Sequence, residues 1–325
     1  MVNNTDPGTG VEQVAAAIRD SSSFLIAAHE SPDGDAIAST FALTIALREM
    51  GKDVVAYNVD PIPQKLRFLP GADTLVNHVA EQTRYDVGIV LDAGELRRAK
   101  IDVIGMCGIS INIDHHPYSE DFGDIYCVDT GASATAVMIY RILKHLDHPV
   151  SVAVAENIYT AILSDTGSFR YSSANSEAFC VAGEMVGCGV DPWKVAGGLY
   201  ESQEEERLRL LAKSLATLQI SPCGRVAAIY ATEQMFAEVG AGPELADSFV
   251  NYPRSIHGVE VAVFLREIGP DSYKLSMRSK GSVDVGALAR ELGGGGHRNA
   301  AGGEVSGSVE QVVADVFKRL HPLLP

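Results

Sequence analysis

A two-domain α/β architecture is what this sequence predicts, on three observations. Apolar runs of strand length alternate with helical patterns through the N-terminal half. That alternation marks βαβ units on a mostly parallel sheet with helices on both faces. The length of 325 residues exceeds one typical core of about 100 to 200 residues. A charged helical stretch then separates this half from a smaller α/β domain. The expected bounds are 1–200 for the first domain, 201–218 for a connecting helix and 219–325 for the second domain, with a cleft between the two.

Taken in order, Val11 to Arg19 reads as a short amphipathic helix and Phe24 to Ala28 as a buried strand ending at His29. The turn Glu30-Ser31-Pro32-Asp33-Gly34-Asp35 leads into a helix from Ala36 to Met50, closed by Gly51. Val54 to Tyr57 is a second strand, and Pro61 to Pro70 is rich in loop. Asp86 to Leu91 is an apolar strand with Asp92 at its far end. Ile109 to Ile113 is another, ending in Asp114-His115-His116 before Pro117 stops regular structure. Helices follow from about Ala134 to Leu146 and from Val152 to Leu163, the latter delivering Ser164-Asp165-Thr166-Gly167. In the second domain, strands are expected at Arg225 to Tyr230, Val259 to Arg266 and Tyr273 to Arg278. Helices are expected at Val285 to Leu292 and Val309 to Leu320, with the glycine run Gly293 to Gly296 before His297.

The chemistry gathers at the ends of these elements. In open α/β sheets the ligand crevice lies outside the carboxyl ends of the strands, where His29, Asp33, Asp35, Asp92, Asp114, His115, His116 and Asp165 would converge. Five carboxylates and three imidazoles in one crevice repel one another and are costly to desolvate unless cations sit between them. The mixed donor set suits manganese, with magnesium or cobalt as substitutes, and the lack of thiolate argues against structural zinc. The inventory exceeds what one ion needs, so two ions about 4 Å apart, bridged by a carboxylate, are expected, with a bridging hydroxide attacking phosphorus in line. Each residue also has a plainer reading. Asp33 and Asp35 suit a turn and a helix cap, Asp165 an Asx-turn, and a lone His29 a satisfied core histidine.

Composition narrows the partners. A net charge of −16 argues against a basic groove for duplex nucleic acid, although bound cations would present positive charge to a short anionic substrate. No apolar run reaches the roughly 18 residues that cross a bilayer, and the N-terminus has no apolar signal core, so a cytoplasmic protein without a membrane partner is expected. Five cysteines without a CxxC pair read as reduced, mostly buried thiols. A homodimer stays open.

Together the four motifs, His29 to Asp35, Leu91-Asp92, Asp114-His115-His116 and Ser164 to Gly167, resemble the DHH phosphoesterase superfamily. Ser276-Met277-Arg278-Ser279-Lys280 and the glycine run with His297, Arg298, Asn299 and Ala300-Ala301-Gly302 resemble its associated domain of the first subtype. The compact layout is similar to the NrnA-type branch, which degrades very short RNA to mononucleotides and removes the 3′-phosphate of 3′-phosphoadenosine 5′-phosphate (pAp) to give AMP. The resemblance implies that His29 and Asp33 hold one metal, that Asp35 and His115 hold the other, that Asp92 bridges and that Asp165 completes the second site or also bridges. His116 would lie beside the scissile phosphate, with Asp114 orienting an imidazole. Arg278, Ser279, Gly295, Gly296, His297, Arg298 and Asn299 would grip short single-stranded RNA or DNA, pAp or dinucleotides. A phosphodiesterase of cyclic dinucleotides, or of their linear products, is the competing enzyme. A catalytically silent nucleotide-binding module would have lost a ligand, and none is missing.

Overall fold

The computed structural model describes residues 7–325, apart from the side chains of Pro7 and His297. The helix expected from Val11 is longer, α1 (Pro7–Asp20). It leads into β1 (Ser23–Ala28), α2 (Gly34–Glu49), β2 (Asp53–Tyr57), β3 (Leu75–Val76) and β4 (Tyr85–Leu91). After α3 (Val103–Met106) come β5 (Cys107–Asp114), β6 (Ile125–Val128), α4 (Thr135–His145), α5 (Val152–Asp165), α6 (Ser176–Gly187) and α7 (Pro192–Tyr200). The six strands form a parallel sheet in the order β3-β2-β1-β4-β5-β6, so the order reverses between β1 and β4. That reversal opens a crevice at the carboxyl ends of these two strands.

Strand alternation decides what each face covers. Phe24 and Ile26 of β1, with Val87, Ile89 and Leu91 of β4, join the large core beneath the long helices. Leu25, Ala27 and Val90 face a smaller core closed by α3 and the 3-10 turn Leu96–Ala99. Helix α2 is buried on nearly every side, from Gly34 to Leu47, which its small and apolar residues permit. Asp33 caps it, accepting from the Ala36 N–H at 3.0 Å. A Cβ on Gly34 would lie 2.1 Å from Ser164 Oγ. The missing side chain is therefore what lets the start of α2 meet the end of α5.

The chain divides after Ser202, and the second unit begins at Gln203. The helix expected to connect domains over 201–218 is α8 (Glu205–Leu215), and it belongs to this second unit. Its Leu210 and Leu211 pack with Ile229, Phe249 and Phe264. There follow β7 (Gln219–Ile220), β8 (Val226–Ala231), α9 (Glu233–Val239), α10 (Asn251–Arg254), β9 (Val261–Gly269) and β10 (Ser272–Ser279). The chain ends with α11 (Val285–Glu291), β11 (Gly295–His297), β12 (Ala300–Ser306), α12 (Val309–Leu320) and a final 3-10 turn, His321–Leu323. The sheet order is β11-β12-β10-β9-β8-β7, antiparallel except for the β8–β9 pair.

The second half of the glycine run, Gly295 and Gly296, is strand. A Cβ on Gly294 would lie 2.1 Å from the carbonyl oxygen of Gly302, so backbone packing against β12 already demands a glycine there. Gly295 has nothing within 4 Å of such a Cβ. The five cysteines are unpaired, but only Cys127 is buried, and Cys180 and Cys223 are exposed. No helix among the described residues is long and apolar enough to cross a membrane.

Candidate metal centre

Three imidazoles and five carboxylates of the first unit come from loops and element ends around the β1–β4 crevice. His29 follows β1, Asp92 follows β4, and Asp114-His115-His116 closes β5. Asp33 and Asp35 begin α2, and Asp165 ends α5. Asp92 adopts a left-handed backbone with φ of 57°, a conformation uncommon outside glycine and found at sites that fix a side chain. Its N–H bonds the carbonyl of Ile113 at 3.0 Å, locking the turn onto β5.

Each imidazole is oriented through Nδ1. That of His29 lies 2.7 Å from the carbonyl of Glu30, that of His115 lies 3.2 Å from the carbonyl of Ala132, and that of His116 lies 2.7 Å from Asp114 Oδ1. This leaves Nε2 facing the carboxylates in the first two. His29 Nε2 is 4.0 Å from Asp33 and 3.9 Å from Asp92. His115 Nε2 is 3.4 Å from Asp92, 3.6 Å from Asp165 and 3.7 Å from Asp35. An imidazole fixed at one nitrogen by a carbonyl or carboxylate, with the other turned inward, is how proteins prepare histidine for a metal.

Three donor sets have all their ligand atoms within 4.8 Å of one another: His29, Asp33 and Asp92; Asp35, His115 and Asp165; Asp92, His115 and His116. Asp92 belongs to the first and third of these sets, and it approaches the second through His115, whose Nε2 lies 3.4 Å from it. Only Asp114 stands outside them. Its carboxylate accepts from the N–H groups of Gly94, His115 and His116 as well as from the His116 ring. It orients the triplet rather than facing the crevice.

Electrostatics explain why this cluster calls for cations. Burial pushes the Asp92 carboxyl well above the carboxylate range, and the charges of Asp35 and Asp33 add to it. Burial likewise raises Asp35, against the pull of His115. Asp165 is pushed up to about 7 by burial and then by Asp35. Burial alone would lower His115, but its hydrogen bond to Asp92 and the charges of Asp35, Asp92 and Asp165 carry it to about 11. Asp114 is the converse case, for bonds from His116 and Ser119 outweigh its burial and hold it at about 2. Three carboxyls that share their charge poorly around imidazoles fit divalent cations by donor type and by charge.

Two residues that sequence reasoning passed over complete the site. Thr135 opens α4, and its N–H donates to Asp35 at 2.6 Å while its hydroxyl donates to Asp92 at 3.1 Å. The Ala136 N–H reaches Asp35 at 3.2 Å, so the positive end of a helix faces this carboxylate. The sequence signal was Thr130-Gly131-Ala132-Ser133 before an apolar helix, which marks a helix start but not what it faces. Arg98 donates to the carbonyl of Ala93 at 2.9 Å and lies 3.1 Å from His29 Nδ1. Nothing distinguishes it in sequence from its neighbour Arg97.

In the second unit, Arg278 is half-buried on β10 and donates to the carbonyl of Met277 at 3.0 Å. The Ser279 hydroxyl donates to the carbonyl of Val283 and accepts from Asn299, each at 2.7 Å. Those two residues hold the turn after β10. Arg298 is exposed and donates to the carbonyl of Ser282 at 3.1 Å. Gly295 and Gly296 lie on the exposed edge strand β11, and the side chain of His297 lies outside the described residues.

A reversed parallel sheet with carboxylates and imidazoles around its switch point defines a two-unit α/β protein built on a candidate metal centre. The chain belongs to the DHH family: residues 23–162 match the DHH family, N-terminal domain, and residues 226–322 match the DHHA1 domain. It is 35% identical to the bifunctional oligoribonuclease and PAP phosphatase NrnA of Thermus thermophilus, over 87% of this chain and 84% of that protein. It is 28% identical to the protein of the same name from Bacillus subtilis, over 89% and 91%. The crystal structure of an exopolyphosphatase-related protein from Bacteroides fragilis superposes with a TM-score of 0.91 at 29% identity, covering 99% of both chains.

Proposed function

We propose that this chain is a metal-dependent phosphohydrolase that cuts very short single-stranded oligonucleotides to mononucleotides and removes the 3′-phosphate of pAp. The observation that carries this reading is Asp92 at the switch point of the sheet, within 3.9 Å of His29 in one donor set and 3.4 Å of His115 in the other. The relatives named for both activities support the choice of substrates. His29, Asp33 and Asp92 would hold one ion, and Asp35, His115 and Asp165 the other, with Asp92 between them. Manganese is the proposed ion, with magnesium or cobalt as substitutes, because the donors mix imidazole with carboxylate. When bound, a pair of such cations supplies a water of lowered pKa and stabilises the attacking and leaving oxygens of an in-line displacement at phosphorus.

The protein's own groups do the rest. Thr135 and the start of α4 hold Asp35 and Asp92 in place. The hydrogen bond that the His116 ring donates from Nδ1 to Asp114, at 2.7 Å, is the first cause raising its pKa, against its burial, and it would turn Nε2 toward a phosphate oxygen. In the second unit, Arg278, Arg298, His297 and the N–H groups of Gly295 and Gly296 would take a phosphate remote from the bond that breaks, with Ser279 and Asn299 shaping the turn. One attack then serves both substrates. Five unpaired cysteines accord with a reducing, cytoplasmic setting.

The test is turnover of pAp, a two-nucleotide RNA and a cyclic dinucleotide with manganese, by the native chain and by Asp92→Ala. Hydrolysis of the first two, lost by at least about a thousand-fold in the variant, is expected for a residue placed between both ions. Binding without turnover of any of the three would refute the reading, and exclusive turnover of the cyclic compound would transfer it to a phosphodiesterase.

A further inference from the structure

We infer that Tyr118 is the stacking surface for the nucleobase beside the reacting phosphate, an inference that rests on the phosphohydrolase reading above. Tyr118 is 86% exposed, more than any other large hydrophobic side chain among the described residues. A scattered surface tyrosine needs no explanation, but this one stands on an anchored turn. Ser119 N–H donates to the carbonyl of His116 at 3.2 Å, making a four-residue turn with Pro117 second and Tyr118 third.

The chain after the ring is tied down from three sides. Asn112 of β5 donates from Nδ2 to Ser119 Oγ and to the carbonyl of Glu120, both at 3.2 Å. Tyr126 of β6 donates to the carbonyl of Ser119 at 3.2 Å. The N–H of Glu120 reaches the carbonyl of Gly94, beyond β4, at 2.7 Å. The backbone is thus fixed by the same strands that fix the donor set, while the aromatic face stays uncovered.

Its place in the chain selects the ligand. Two residues span at most about 7 Å, so the backbone that carries the ring lies within that distance of His116. A ring carried on an anchored turn leaves little backbone freedom to lose when a base lies on it. Stacking on an aromatic face adds roughly ten-fold or more in affinity per base and discriminates weakly among bases. The site would then favour substrates with a base at this position over bare phosphoesters.

The experiment compares the native, manganese-loaded chain with Tyr118→Ala, Tyr118→Phe and Tyr118→Trp on a two-nucleotide RNA and on its analogue lacking the base. Expected is a KM about ten-fold higher for Tyr118→Ala on the base-bearing substrate, with kcat within two-fold, no change on the baseless analogue, and recovery in the Phe and Trp variants. A dinucleotide containing 2-aminopurine gives a second readout, its fluorescence quenched by the native chain and not by Tyr118→Ala. An unchanged KM in Tyr118→Ala, or equal impairment on the baseless analogue, overturns the inference. Quenching that depends on Tyr118 in a chain without turnover would uphold the stacking surface and sink the hydrolase reading. Turnover indifferent to Tyr118 would do the reverse.

Discussion

At the scale of the residue, the site depends on groups that never face the crevice. Thr135 is the clearest case, since one residue donates to both Asp35 and Asp92. Thr135→Val keeps the N–H bond and loses the hydroxyl bond. Groups that orient metal ligands are worth about 10- to 100-fold in affinity, so manganese titrated into this variant by calorimetry should bind weaker by that factor, with Thr135→Ser restoring it. Equal affinity in Val and Ser variants would show that the hydroxyl is incidental. Asp114→Asn tests the other arm. The Asp114 carboxylate raises the pKa of His116, so its loss should move the alkaline limb of the kcat profile to lower pH. A limb that stays put would remove His116 as the titrating group beside the phosphate.

At the scale of the element, the parts best read from sequence were those whose local pattern and chemistry agree. The strands β1 and β4 are nearly continuous apolar runs because both faces of a parallel sheet are covered, β5 alternates isoleucine with Ser110 and Asn112, and each of the three ends in the residue its motif marks. Helices α6 and α7 were left unread, although Asn175 and Asp191 cap them and Pro192 stands at the first turn. Strand β12 hid in Ala300-Ala301-Gly302-Gly303, whose strand propensity is low. Its pairing with β10 comes from residues distant in the chain. Gly34 was read as a turn residue, and only the fold shows Ser164 against it. Gly34→Ala should cost about 1–3 kcal/mol as overpacking and weaken metal binding by parting Asp35 from Asp165. Ser164→Gly in the same chain should recover part of both losses, measured by denaturant unfolding and manganese titration. A Gly34→Ala chain as stable as the native one would mean that the two helix ends separate freely.

At the scale of the whole molecule, the pooled charge of the cluster couples folding to pH and to metal. Asp165 titrates near 7 against an ordinary 3.8, and His115 near 11 against 6.5. Between each pair of values the native state binds more protons than the unfolded chain, so metal-free stability contributed by these groups falls as pH rises. Cations bind the deprotonated carboxylates and the neutral imidazole, so their stabilising effect should rise over the same range. The gain in Tm on adding manganese should therefore be larger at about pH 8 than at about pH 6, read by thermal unfolding with and without chelator. A gain independent of pH would mean that the ion binds elsewhere. The division into two units was legible from length and from the charged stretch after Ser202. That this stretch packs into the second core was not, because the partners of Leu210 and Leu211 lie in strands that follow.

The most direct measurement is anomalous diffraction at the manganese edge from crystals of the native chain soaked in manganese. Two peaks about 4 Å apart, one beside His29 and Asp33, the other beside Asp35, His115 and Asp165, with Asp92 reaching both, are what the donor geometry predicts. One peak, or none within reach of Asp92, would contradict it.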